Sequence, residues 1–380
     1  MKIAILHPFT PQSAGVVEKR VSTYHSQPHA KSMSSLSSEG YECSMEYFTP
    51  RLFKYSFLDS NLKWSFFPVD FKFNGDHKKW KKQSSVSCLR QYKKDAPDVT
   101  IINMSGHSSP FSYDLSKVIL QNNKPYIAML GGQHYTNTKE VVEYYRNAHH
   151  ILVHTHLQKA EMESMEMFRD LDIRVFPLGV NCDDFKPKPS IKATIDSPPK
   201  LLYVGRIVEW KRVHLAIEAL YELVNNGFLG ATLTIIGPVS SEDYQLKLKE
   251  MVKDKKLTEN VLFLGHKEHY ELPYYFQEAD LFVLPSDKET FGMVMIESMA
   301  CETPVAGMAC PGGPADVIES GFDGLLSTPE TYSKDILNLF RNRSFLDTMK
   351  INARKKVLDN YSIQETTRVL MKSVNDALKS

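Results

Sequence analysis

The chain has few cysteines, almost no net charge and no long apolar run. Its five cysteines, Cys43, Cys88, Cys182, Cys301 and Cys310, are an odd number without metal-type spacing. That argues against a disulfide framework and fits reduced thiols in a cytosolic protein. A formal net charge of +1 offers no global field for nucleic acid. No stretch approaches the ~20 apolar residues that span a bilayer. The opening MKIAILHPFT is too short in apolar residues for a signal peptide and reads as a buried first strand, Lys2–His7. A cytoplasmic location is therefore expected. There is no low-complexity tract and no internal repeat of the solenoid kind. No G-x-G-x-x-G follows any apolar run, which argues against a dinucleotide dehydrogenase.

What is present is ordinary for a soluble globular protein: 380 residues, 42% apolar and 24% charged, enough for two or three domains. Short apolar runs alternate with helical patterns: KIAIL, DVTIINM, PYIAML, HILVHT and IRVFPLG, then KLLYVG, ATLTIIG, VLFLG, DLFVLP and PVAGMA. Near-continuous apolar strands separated by helices indicate parallel sheets covered on both faces. The stretch GVNCDDFKPKPSIKATIDSPPK, rich in Pro, Lys and Asp, breaks the series and reads as a linker. The expectation is α/β architecture with two doubly wound domains, 1–180 and 181–361, facing a central cleft. The tail 362–380 reads as a terminal helix that packs back on the first domain. Ligands in such sheets sit beyond the carboxyl ends of the strands.

The loop PSDKETFG follows DLFVLP and leads into an apolar helix starting near Gly292 or Met293. A helix start exposes unpaired N–H groups and partial positive charge, a seat for phosphate. Gly292 lets a ligand approach the backbone closely. Glu297 lies about one turn inside, and helical side chains lean back toward the N-terminus. Its carboxylate would reach hydroxyls such as a ribose's, with Glu289 at the other end of the same ligand. On spacing alone the pair reads as a capping-loop acid and one semi-buried glutamate, since two acids eight apart are common.

The flanking residues carry more. LLYVGRIVEWKRVHLAIEAL, LTIIGP, NVLFLGHKEHYELPYYFQEADLFVLPSDKETFGMVMIESMACETPVAG and PGGPADVIESGFDGLL, in that order, closely resemble the C-terminal half of family 4 retaining glycosyltransferases, which have the GT-B fold of two facing Rossmann-like domains. The resemblance is highly specific, since several separate motifs agree. The N-terminal half is similar more loosely. In that family the E-x7-E motif is Glu289…Glu297, with the second Glu on the ribose and the first near the transferred sugar. The resemblance assigns Arg206 and Lys211 to the donor phosphates, and Phe291, Gly292, Met293 and Val294 to the donor site. The family uses backbone near Gly265 and His266 for the base. Gly15 stands where members usually carry two glycines, and His134 where they often have a histidine near the transferred sugar. Gly312 and Gly313 would lie near the donor, while Asp316 reads as a first-turn acid. His107 also follows a strand, and suits a supporting role as well as a direct one. Asp170-x-Asp172 has the shape of a metal site but precedes a strand at its amino end, and reads as a solvated turn.

The resemblance implies a retaining, metal-independent hexosyl transfer from an NDP-sugar, of UDP or GDP type, to an acceptor hydroxyl. The acceptor would be a sugar or lipid-linked, and no other cofactor is implied. Two alternatives stay open: an NDP-sugar epimerase of the same architecture, or a nucleotide-sugar-binding module without activity. Residues 54–73 are unusually aromatic, and the following stretch is basic. If helical, Val86, Leu89 and Tyr92 share an arc and Trp80 falls opposite among cations. That suits peripheral membrane contact through 76–94, or a solvated helix with one packed Trp.

Overall fold

The computed structural model describes residues 1–23, 28–70, 82–103, 109–132, 135–188, 197–310 and 312–379. The chain divides into two compact units, Met1–Gly179 with Ile363–Ser380, and Val180–Ser362. In the first, the described strands are β1 (Lys2–His7), β2 (Glu42–Thr49), β3 (Tyr55–Asp59), β4 (Leu62–Pro68), β5 (Val99–Asn103), β6 (Tyr126–Leu130), β7 (Ile151–Val153) and β8 (Ile173–Val175). They form one sheet in the order β3-β4-β2-β1-β5-β6-β7-β8. All neighbours are parallel except β3 and β4.

The central strands are apolar throughout because both faces are covered. Alternate residues feed separate cores. Leu6, Ile102, Ala128 and Leu130 join one cluster. Ile3, Ile5, Ile101, Ile127 and Met129 join the other. The second cluster also takes Leu370, Val374 and Ala377 of the terminal helix, Ile363–Lys379, beside Met33 and Leu36 of the helix Pro28–Ser38. Arg174 in β8 fastens that helix through Asp376 at 2.7 Å.

Three strands of this sheet, β2 to β4, do not stand out as apolar runs. The antiparallel pair turns through Ser60 and Asn61, both at positive φ, a two-residue hairpin of the kind that matches strand twist. The basic stretch is helical over Val86–Lys94, but it buries Cys88 and Tyr92 and leaves Val86 exposed. Cys88 and Tyr92 are one turn apart, so they define the packed face and Val86 turns off it. Trp80, with the rest of 71–81, lies outside the described residues. Among the described residues no helix is long and apolar enough to cross a membrane.

Buried in this unit are His7, His29, His150 and His154. Burial holds all four below the ordinary histidine range, His29 and His150 at about 3. Unfolded histidines titrate near 6.5. The unfolded chain therefore binds protons that the fold refuses. This contribution to stability is complete above about pH 6.5 and is lost as pH falls toward 3, by at most ~1.4 kcal/mol per pH unit for each histidine. Thermal unfolding followed from pH 7 to 4 should show the loss, and His29→Gln should make it shallower. Equal slopes for the two proteins would remove His29 from the account.

The second unit holds β9 (Lys200–Val204), β10 (Thr232–Ile236), β11 (Val261–Gly265), β12 (Leu281–Leu284), β13 (Val305–Met308) and β14 (Gly324–Ser327). They run parallel in the order β11-β10-β9-β12-β13-β14. The chain order reverses between β9 and β12. Loops leaving those two carboxyl ends part from each other, and the gap is where such sheets bind ligands.

Candidate donor site

A cavity of about 800 Å³ opens at that switch point. The loop after β9 lines it with Arg206, Trp210 and Lys211. The loop after β12 adds Asp287 and Glu289. The helix Met293–Ala300 presents its first turn, Met293 and Val294, preceded by Phe291 and Gly292. Gly292 is the residue before the helix and is left-handed, φ +86°, a conformation that favours glycine. The helix start and three cations, Arg206, Lys211 and Lys288, thus surround one space.

Lys211 and Glu289 form an ion pair with each side chain only 12% exposed. Lys211 Nζ also stands 4.5 Å from the Trp210 ring centroid, and the Arg206 guanidinium carbon 5.3 Å from it. The Asp287 N–H donates to the Trp210 carbonyl at 3.0 Å, and Arg212 pairs with Asp287 at 2.6 Å. These contacts tie the two loops together. Glu289 lies among enough buried chemistry to raise nearby groups: burial first, then its negative charge, pushes the Tyr203 phenol and the Cys310 thiol above their ordinary ranges.

Gly312 and Gly313 support the Glu289 loop from behind. The Gly313 N–H donates to the Glu289 carbonyl at 3.1 Å, and Gly312 bridges to Glu289. A Cβ on Gly313 would stand 1.6 Å from the Phe291 carbonyl oxygen. Backbone would have to move. Gly313→Ala should therefore displace the loop, cost stability by ~1–3 kcal/mol as overpacking does, and weaken ligand binding in the cavity. Titration calorimetry beside a melting curve checks this; unchanged binding would show that the loop tolerates the shift.

Three expected residues of this unit are not on the cavity wall. Glu297 is 3% exposed, one turn inside the helix. One carboxylate oxygen is 2.9 Å from His269 Nε2, and the other has no hydrogen-bond partner among the described residues. Gly265 and His266 close β11, from which β10 and β9 separate β12. At about 4.8 Å per strand, three steps carry them roughly 14 Å away. Gly265 accepts the Gly237 N–H at 2.8 Å, and His266 is exposed. His269, a few residues on, is what brings the loop after β11 to Glu297.

Gly15 belongs to the first unit. It ends a short turn at φ +76°, and its N–H donates to the Gln12 carbonyl at 3.1 Å. The turn itself uses that amide. His134 and His107 lie outside the described residues. Asp172 receives the Arg174 guanidinium at 2.6 Å and Asp170 takes a left-handed turn position, so the Asp-x-Asp pair is engaged in local structure. Trp210 was not singled out from the sequence. Its signal was a Trp directly before Lys211.

The architecture is that of the GT-B fold, which the solved structure of Anabaena HepE in complex with UDP shares at a TM-score of 0.72, 16% identity, and coverage of 99% of this chain and 100% of that one. HepE has also been solved with UDP-glucose. Residues 184–356 match the family model described as glycosyl transferases group 1. Glycogen synthase of Mycobacterium tuberculosis is 36% identical over 132 residues, 35% of this chain and 31% of that protein. The putative colanic acid biosynthesis glycosyltransferase WcaL of Escherichia coli is 28% identical over 249 residues, 62% of this chain and 58% of that protein. The matched stretches thus span between 31% and 58% of these curated relatives.

Proposed function

We propose that the chain is a retaining glycosyltransferase that moves a sugar, a hexose, from an NDP-sugar to an acceptor hydroxyl without needing a metal. The observation that carries this reading is the cavity itself: Arg206, Lys211 and a helix start meet there with the Glu289 carboxylate. A departing nucleoside diphosphate gains negative charge. Fixed cations and helix N–H groups stabilise that charge more than they stabilise the bound donor. Glu289 and His134 serve the sugar end, and Glu297 the ribose, whose hydroxyls suit its unpartnered oxygen. The loop closing β11, with Gly265 and His266, takes the base. The leaving phosphate accepts the acceptor's proton on the same face, so the anomeric configuration is kept. The UDP and UDP-glucose found with HepE favour a uridine nucleotide.

A panel of UDP- and GDP-sugars, scored for NDP release with and without a lipid extract, tests this reading. One donor should turn over, faster with its acceptor, and EDTA should leave the rate unchanged. Release that collapses in EDTA and returns with magnesium or manganese would overturn metal independence. Silence with every donor, and no nucleotide binding, would overturn the function.

A further inference from the structure

Two of the three cavity cations, those assigned above to the diphosphate, lie beside one neutral ring. Arg206 and Lys211 sit 5.3 Å and 4.5 Å from the Trp210 centroid. The ring lines the same cavity, and its backbone carbonyl anchors the loop after β12 through Asp287. Carboxylates act differently on Lys211 itself and on the adjacent Arg212. Glu289 pairs with Lys211, and Asp287 with Arg212. An acid fixes a cation but cancels its charge for any incoming anion. An aromatic face attracts the cation through its quadrupole and leaves the net charge intact. Two like charges beside one ring also repel, and a multiply charged anion relieves that repulsion.

We propose that Trp210 is a positioning residue for the diphosphate, orienting Arg206 and Lys211 toward it without itself adding a countercharge. The proposal rests on the nucleotide-sugar reading above. Its energetic content is pre-organisation: the long side chains lose their freedom before the ligand arrives, and so cost less affinity on binding. The effect acts on phosphate and not on the base or ribose. It should therefore grow with ligand charge.

Calorimetry with UDP and GDP, beside uridine and guanosine, separates this role from a merely structural one. The full-length protein should bind the preferred diphosphate, and Trp210→Leu should weaken it roughly ten-fold, the loss expected for two such contacts. Nucleoside binding should change by less than about two-fold, since it does not use the cations. Trp210→Phe, which keeps an aromatic face, should retain most of the diphosphate affinity. Should Trp210→Leu not fold, fluorinated tryptophans keep the ring's shape while weakening its negative face. UDP affinity should then fall as fluorine is added, and should not do so in the Trp210→Phe background. Equal diphosphate affinity in wild type and Trp210→Leu, or no response to fluorination, would overturn the proposal while leaving the nucleotide-sugar reading standing. Equal losses for nucleoside and diphosphate would show that the ring stacks on the base instead. A wild-type protein that binds neither diphosphate would overturn the nucleotide-sugar reading, and this proposal with it.

Discussion

Lys211→Ala should abolish most sugar transfer and leave the second unit folded. Each charge-assisted bond to phosphate is worth ~1.5–3 kcal/mol, or roughly 10- to 100-fold. The loss should exceed that figure, because Lys211 is paired with Glu289 at 12% exposure for each side chain. Truncating one partner leaves the other carboxylate desolvated and uncompensated in the same cavity. That carboxylate would repel an incoming diphosphate. Two controls isolate the parts. Lys211→Arg keeps the charge and should keep part of the NDP affinity. Adding Glu289→Gln to Lys211→Ala removes the stranded acid and should restore some NDP binding, though not turnover. Unchanged turnover in Lys211→Ala would take the lysine out of the site.

Much of this architecture was legible because parallel strands buried on both faces must be apolar along their whole length. β1, β5 to β7, β9, β10, β12 and β13 announce themselves in that way; β11 is an apolar run too, but it is an edge strand that leaves Leu262 and Leu264 exposed. β2 does not, since Glu42, Ser44 and Glu46 interrupt it. Glu46 is buried, and the Tyr92 phenol, far away in sequence, donates to it at 2.6 Å. No local pattern reveals such a partner. β3 and β4 were hidden in the aromatic stretch, and their turn, Ser60–Asn61, has none of the glycine that marks many hairpins. β14 begins on Gly324 and ends on Ser327, so only two adjacent leucines mark it.

The cavity was legible in part for a related reason. A strand, a short polar loop with glycine and a helix are enough to place Glu289, Phe291, Gly292, Met293 and Val294 at one strand end. Arg206 and Lys211 follow β9 by the same logic, and β9 neighbours β12. Depth was not legible. Nothing in the spacing says that Glu297 is enclosed, or that His269 holds it. The two glycines at 312 and 313 were expected near the donor. Their need to be glycine comes from the backbone of residues 289–291, which leaves no room for a Cβ.

Glu289→Gln and Glu297→Gln should separate the two ends of the ligand. Glu297 is buried, is held through one oxygen by His269, and keeps the other without a partner among the described residues. If that oxygen serves the ribose, it touches a part shared by donor and product. Glu297→Gln should then weaken the bare NDP and the donor alike, by roughly 10- to 100-fold for a charged hydrogen bond of ~1.5–3 kcal/mol. Glu289 makes the opposite prediction. Its carboxylate competes with the diphosphate for the Lys211 ammonium. Glu289→Gln should therefore leave NDP affinity unchanged or tighten it. Transfer should nevertheless fall, because a contact to the sugar that strengthens as the sugar leaves the phosphate is lost only in the transition state. Calorimetry with NDP alone, run beside turnover with the donor, reads both effects. Equal losses of NDP affinity in the two variants would mean that the carboxylates do not divide the ligand between them, and that Glu289 does not compete for the lysine.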